Sequence, residues 1–110
     1  MNIEKQRDGA SLTITLSEPL GASYAAELEN LLKDPGSNER LAILDGVEEL
    51  TVDIAAVEYI SSAGLRVLLM MHKKMSAQGK MTIKNASSAA MAIFNIAGFT
   101  KFLTIEIIPE

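Results

Sequence analysis

Leu50-Thr51-Val52-Asp53-Ile54-Ala55-Ala56-Val57-Glu58-Tyr59-Ile60-Ser61-Ser62-Ala63-Gly64-Leu65-Arg66 is the stretch on which the fold turns. Leu50, Val52 and Ile54 alternate with Thr51 and Asp53, a period of two that predicts a central strand. From Ser62 to about Gln78 the period becomes helical. Leu65, Leu68, Met71, His72 and Met75 fall on one side, and Ser62, Arg66 and Lys73 on the other. Val67, Leu69 and Met70 sit on the flanks or the polar side, so the apolar arc is wider than one buried stripe requires. Either neighbouring elements cover those flanks or a partner docks there. Two small hydroxyl residues stand where strand becomes helix. The first N–H groups of a helix lack intrahelical partners and its dipole favours negative charge at that end, so a serine there caps the helix or carries a phosphate.

Working outward toward the N-terminus, residues 2–8 alternate, Asp8-Gly9 is a turn signal, and Leu12, Ile14 and Leu16 alternate with Ser11, Thr13 and Thr15. Two such runs joined by Asp-Gly predict a β-hairpin. Pro19 and Gly21 break the pattern. Tyr24, Ala25, Leu28, Leu31 and Leu32 then predict a helix over 22–33, ended by Asp34-Pro35-Gly36. Residues 36–49 contain Asn38-Glu39-Arg40, an apolar tetrad at 41–44 and Asp45-Gly46. They read as a helical turn and loop or as a short extra hairpin, with the loop preferred.

Toward the C-terminus, Gln78-Gly79 ends the long helix and Met81-Thr82-Ile83-Lys84 reads as a strand. Asn85 or Ser87 caps a third helix whose Ala90, Phe94 and Ala97 share a face and whose stop is Gly98. Phe99 and Phe102 are expected to close the core, and residues 103–108 to form a last strand. The order β-β-α-β-α-β-α-β implies an α/β fold: a mixed sheet with an N-terminal β-hairpin and right-handed βα units, its helices packed on one or both faces.

A chain of 110 residues reads as one domain, 1–110, able to bury about two-thirds of the surface its unfolded form exposes. A hydrophobic share of 48% with 22% charged residues argues against disorder. The formal charge of −4 argues against nucleic acid, which needs clustered Lys and Arg; Lys73-Lys74 reads as a solvated helix face. With no cysteine, disulfides and thiolate chemistry are excluded. Residues 1–8 are alternating and charged, without the apolar core of a signal peptide, and no apolar run is long enough to span a membrane. The expected location is the cytoplasm, with no direct membrane insertion.

Catalysis finds little support. His72, the only histidine, lies about 15 Å along the helix from Ser62 and cannot serve it as a general base. Ser61-Ser62-Ala63-Gly64 is not the G-x-S-x-G of a nucleophile elbow. Glu48, Glu49, Asp53 and Glu58 lack metal-ligand spacing, and no Gly-rich loop cradles a nucleotide, so neither metal nor cofactor is expected. Ser62 is the better lead. A phosphate there would meet the helix dipole, and Arg66, four residues on, shares its face. The plain alternative is that Ser61 or Ser62 is only an N-cap.

Residues 53–66 resemble the signature of STAS domains, specifically stand-alone bacterial anti-sigma factor antagonists, and Ile96-Ala97-Gly98-Phe99 is similar to that family's last helix and exit turn. The resemblance implies a non-enzymatic partner switch. It binds an ATP-dependent serine kinase that doubles as anti-sigma factor, frees the sigma factor, is phosphorylated by that kinase and is reset by a serine phosphatase. Matched through Gly64-Leu65 to the commoner Asp-Ser-[Ser/Thr]-Gly-Leu motif, the phosphoacceptor is Ser62. The implied contact surface is Tyr59, Ile60, Ser61, Gly64, Leu65 and Arg66, with Leu69 and Met70 on the flank. Ser61 stands where the commoner motif has Asp, Gly21 stands near where many members have an aspartate, and residues 35–46 look longer than usual. Two rivals remain: a constitutive STAS adaptor subunit of a membrane transport complex, and a small-ligand or nucleotide-binding STAS domain.

Overall fold

The computed structural model describes residues 3–33 and 42–108. The expected helix stop at Asp34-Pro35-Gly36, the run Asn38-Glu39-Arg40 and Leu41 lie outside the described residues. Gly9 supplies the backbone that the first turn requires: its φ is +61°, a value that favours glycine. β1 (Ile3–Asp8) and β2 (Ser11–Leu16) pair antiparallel with Asp8 opposite Ser11, leaving Gly9-Ala10 as the loop. Glycine first in a tight hairpin loop matches a type II′ turn.

Every later pairing is parallel. β2 pairs with β3 (Glu49–Asp53), β3 with β4 (Lys80–Ala86) and β4 with β5 (Thr104–Ile107), giving the sheet order β1-β2-β3-β4-β5. Parallel neighbours need crossovers, and α1 (Ala22–Leu32), α2 (Ser62–Ser76) and α3 (Ser88–Ala97) supply them. The predicted α/β order is therefore the observed one.

Register places the core. Leu12 lies beside Leu50 and Leu50 beside Met81, while Ile14 lies beside Val52 and Val52 beside Ile83. All of these are at most 5% exposed. The intervening Thr13, Thr51, Thr82 and Thr104 align on the opposite face, where every one of them keeps contact with solvent. A sheet with one dry face and one wet face has its helices on the dry face alone, which decides between the two arrangements expected from the sequence.

Helix faces differ from expectation in three places. Val67, expected on a flank, is fully buried with Gly64, Leu68, Met71 and Met75, because α2 packs against both α1 and the sheet. Leu65, Leu69, Met70 and His72 are half-buried. In α3, capped by Ser87 through the Ala90 N–H at 3.1 Å, Ala90 and Phe94 are buried but Ala97 is exposed. Gly98, at φ +80°, turns the chain there, and Phe99 takes the core position instead, 6.0 Å from Phe94 ring to ring. Phe102 is 45% exposed: its ring lies over His72 at 5.0 Å and beside Phe99 at 5.2 Å, a lid on the core edge and not part of the interior.

At the end of the sheet away from Ser62, the segment before β3 forms a 3-10 turn, Ala42–Leu44, in place of an extra hairpin. Gln78 Nε2 donates to the carbonyls of Leu44 (2.5 Å) and Val47 (2.7 Å). Lys74 pairs with Asp45 at 2.6 Å, so only Lys73 of the basic doublet fits a fully solvated reading. Gly79 closes this corner: a Cβ there would lie 2.0 Å from the Glu48 carbonyl oxygen, which itself accepts from the Lys80 N–H at 2.8 Å. Backbone cannot yield as a flexible side chain can. Gly79→Ala is expected to destabilise the fold by about 3 kcal/mol, the upper part of the range for overpacking, as read from the urea midpoint at unchanged m-value.

Candidate functional site

The loop between β3 and α2 is held from both sides. On one side the Asp53 carboxylate accepts from the Ala55 N–H at 3.0 Å and from Asn85 Nδ2 at 3.2 Å, and the Ile54 N–H donates to the Lys84 carbonyl at 3.0 Å. Asn85 takes a φ of +61°, a left-handed position that Asn tolerates better than most residues, beside a register shift in the β4–β5 pairing. The exit of β3 is thereby tied to the exit of β4.

On the other side stands Leu20, fully buried. Its N–H donates to the Tyr59 carbonyl at 2.8 Å, and its carbonyl accepts from both the N–H and the hydroxyl of Ser61, each at 2.9 Å. Leu20 and Ile60 form a parallel bridge. Ser61 Oγ also accepts from the Gly64 N–H at 3.1 Å. Ser61 is therefore the N-cap, and of the two serines it alone does that work. Ser62, first residue of the helix, is exposed, and its hydroxyl has no hydrogen bond to any described residue.

Gly64 occupies the third helical position, where a capping-box Glu or Gln would otherwise stand. A Cβ there would lie 2.7 Å from Leu20 Cγ and 2.9 Å from the Leu20 carbonyl oxygen. Close packing on Leu20 thus excludes a side chain, and the first turn of α2 carries no acid. Gly21, the N-cap of α1, makes no side-chain cap and has open space where a Cβ would point, so its neutrality is not enforced by packing.

Of the expected contact residues, Tyr59 is 55% exposed, Arg66 is exposed, and Ser61, Leu65, Leu69 and Met70 keep partial exposure. Ile60, at 3% exposure, and Gly64 are interior, because both pack on Leu20. The accessible surface is narrower than the motif. Arg66 does not point at Ser62: its Nη2 lies 3.2 Å from Glu29 Oε1 on α1, and its Nη1 lies 3.4 Å from Met70 Sδ. Leu20 and Glu29 went unmarked in the sequence. A glycine at the third position of a helix whose first turn favours acids was the one signal that something approaches closely there.

Among the described residues no group of three or more His, Asp or Glu side chains is placed to hold a metal ion. Nor is any helix there long and apolar enough to cross a membrane. The division of labour between the serines is measurable. Ser61→Ala removes the cap and one of the two bonds to Leu20, and is expected to cost about 1–2 kcal/mol. Ser62→Ala is expected to stay within about 0.5 kcal/mol, as for a surface substitution, both read by equilibrium urea unfolding.

The profile described as "Mlab, STAS domain" matches residues 3–108. A protein of Bordetella bronchiseptica named as anti-sigma factor antagonist BtrV is 31% identical over 61 residues, 54% of this chain and 53% of that protein, so the chain spans about half the length of that curated relative. Among solved structures, an anti-sigma factor antagonist of Thermotoga maritima superposes with a TM-score of 0.80 at 13% identity, covering 94% of this chain and 85% of the other. The anti-sigma factor antagonist SpoIIAA, in its unphosphorylated form, superposes with a TM-score of 0.69 at 12% identity over 99% and 90%. These similarities agree with the one-sided five-stranded sheet, and the chain belongs to the STAS domain family.

Proposed function

We propose that this protein is a non-enzymatic, cytoplasmic partner switch, an anti-sigma factor antagonist whose state is written on Ser62. The observation that carries the reading is the pairing of a capping serine with an uncommitted one. Ser61 satisfies the helix end, so the exposed Ser62 hydroxyl is available without cost to the fold. The names of BtrV and SpoIIAA, and the unphosphorylated form specified for the latter, point the same way.

In the unmodified state Tyr59, Ser61, Leu65, Arg66, Leu69 and Met70 present a mixed apolar and polar surface around Ser62. A serine-kinase anti-sigma factor docks there, and the sigma factor it held is released. The kinase then moves the γ-phosphoryl group of ATP to Ser62 Oγ; ADP leaves, and the hydroxyl proton passes to a base of the kinase. The phosphate adds about 1.5–2 negative charges at an exposed helix N-terminus that bears no competing acid. The helix dipole favours it by roughly 0.3–1 kcal/mol, while a docked partner would bury it. Folding and binding respond with opposite signs. Water, directed by a serine phosphatase, takes the phosphoryl group, releasing inorganic phosphate and restoring the hydroxyl.

Ser62→Asp is expected to weaken binding to the cognate kinase at least tenfold, about 1.4 kcal/mol, measured by calorimetry. Stability should change by no more than about 1 kcal/mol. Unimpaired binding by that variant overturns the switch. Intact-mass analysis of protein from its native cell under several growth conditions decides the rival: a Ser62 that never carries phosphate indicates a constitutive adaptor of a transport complex.

A further inference from the structure

The orientation of Arg66 bears on how far such a phosphate is felt. Its guanidinium bridges the seam between two helices, reaching Glu29 of α1 at 3.2 Å while lying against the Met70 thioether at 3.4 Å. The Arg66 side chain is 55% exposed and that of Glu29 is 16% exposed. The guanidinium end of this pair is open to solvent, where screening weakens it, so a stronger anion can compete for Arg66. Residues 62 and 66 are neighbours on the helix surface, with Cβ atoms about 5–6 Å apart. The Cα–Cβ bond of Arg66 already tilts toward the helix N-terminus, and an anion one turn N-terminal to a cation is the favourable order.

We propose that phosphate on Ser62 draws Arg66 off Glu29 and Met70, so that one modification rewrites the α1–α2 seam as well as its own position. This rests on Ser62 being the phosphate acceptor. A phosphoserine offers Arg66 more charge than a carboxylate and three acceptor oxygens for a forked contact. No acid in the first turn of α2 competes with it, since Ser61 is neutral and Gly64 has no side chain. When the guanidinium swings back one turn, Glu29 loses that partner and the Met70 sulfur loses its cover. Met70 lies eight residues beyond Ser62, about 12 Å along the axis. A partner reading the Leu69–Met70 flank therefore detects the phosphate without touching it.

The test uses four full-length proteins: Ser62 unmodified or installed as phosphoserine during synthesis, each with Glu29 or with Glu29→Gln. The readouts are the exchange rate of the Arg66 Nε–H with water and the NMR shift of the Met70 ε-methyl group. In the unmodified protein Glu29→Gln is expected to speed exchange about threefold and to move the methyl signal. In the phosphorylated protein the same substitution should leave both unchanged, and phosphorylation alone should move the methyl signal. An equal effect of Glu29→Gln in both forms, or no effect in either, overturns the proposal. Because the phosphate is installed without any kinase, a failed exchange leaves the Ser62 switch standing. Failure of the switch is read separately, from kinase binding by the Ser62→Asp variant.

Discussion

One carbonyl organises the end of the molecule where function is expected. The oxygen of Leu20 accepts both the N–H and the hydroxyl of Ser61, while the Leu20 N–H holds Tyr59. A buried residue with two acceptor bonds on one oxygen is costly to disturb, because each donor left without a partner loses more than the modest net gain of making the bond. Leu20 follows Pro19 in the short connection between β2 and α1, so this contact couples the entry of α1 to the entry of α2. Gly64 is the corollary. Its missing Cβ admits the Leu20 side chain, and the same absence removes the residue that would have completed a capping box. Packing and charge at this helix start share a single cause.

The sheet sets where that clamp can act. Four parallel-paired strands share one direction, so the loops leaving β2, β3 and β4 gather at their carboxyl ends, where ligands and partners of open α/β sheets commonly bind. Asp53, Asn85 and Ser87 tie the exits of β3 and β4 together, the Ser87 hydroxyl reaching the Val57 carbonyl at 3.4 Å. At the opposite end, Arg7, Lys74 and Gln78 grip the turn before β3. The outer edge of β1 carries Glu4, Lys5, Arg7 and Asp8, charges that discourage pairing with another strand. Around Ser62, accessible polar and apolar groups adjoin at the carboxyl end of the parallel strands.

What the sequence disclosed follows from how local each cause is. Alternation in β2 and β3, the Asp8-Gly9 turn and the Gly98 stop depend on neighbours within a few positions, and each appears in the structure where periodicity puts it. The breadth of the α2 apolar arc was visible too. Its meaning was not, because Val67 is buried through the packing of α2 on α1 as well as on the sheet. Ala97 and Phe102 were placed too deep: Ala97 is the last residue of α3 and stays exposed where the left-handed Gly98 turns the chain, and of the two rings beyond it Phe99 fills the core while Phe102 covers its edge over His72. At the site, the two serines were legible, but which of them caps the helix was not. Deciding between them required Leu20, some forty residues away, whose bridge to Ile60 leaves no periodic trace.

Under the proposed phosphorylation of Ser62, the pairing of serines would let a modification be potent in binding yet mild in folding. Were a single hydroxyl both cap and acceptor, phosphorylation would have to replace the bond to the third helical N–H while changing a partner surface, and the two effects would be coupled. Here the bonds to Leu20 and Gly64 are made by Ser61 and not by Ser62, so a phosphate on Ser62 would not have to replace them. What a phosphate would add at the helix end is a dipole interaction of roughly 0.3–1 kcal/mol, favourable in sign, beside the exchange of Arg66 between Glu29 and the phosphate proposed above. The effect on a partner docked there would be set instead by desolvation of a doubly charged group, which in a buried contact amounts to several kcal/mol. A surplus of even 3 kcal/mol is more than a hundredfold in affinity. Separation of the two hydroxyls would let most of that difference appear in binding.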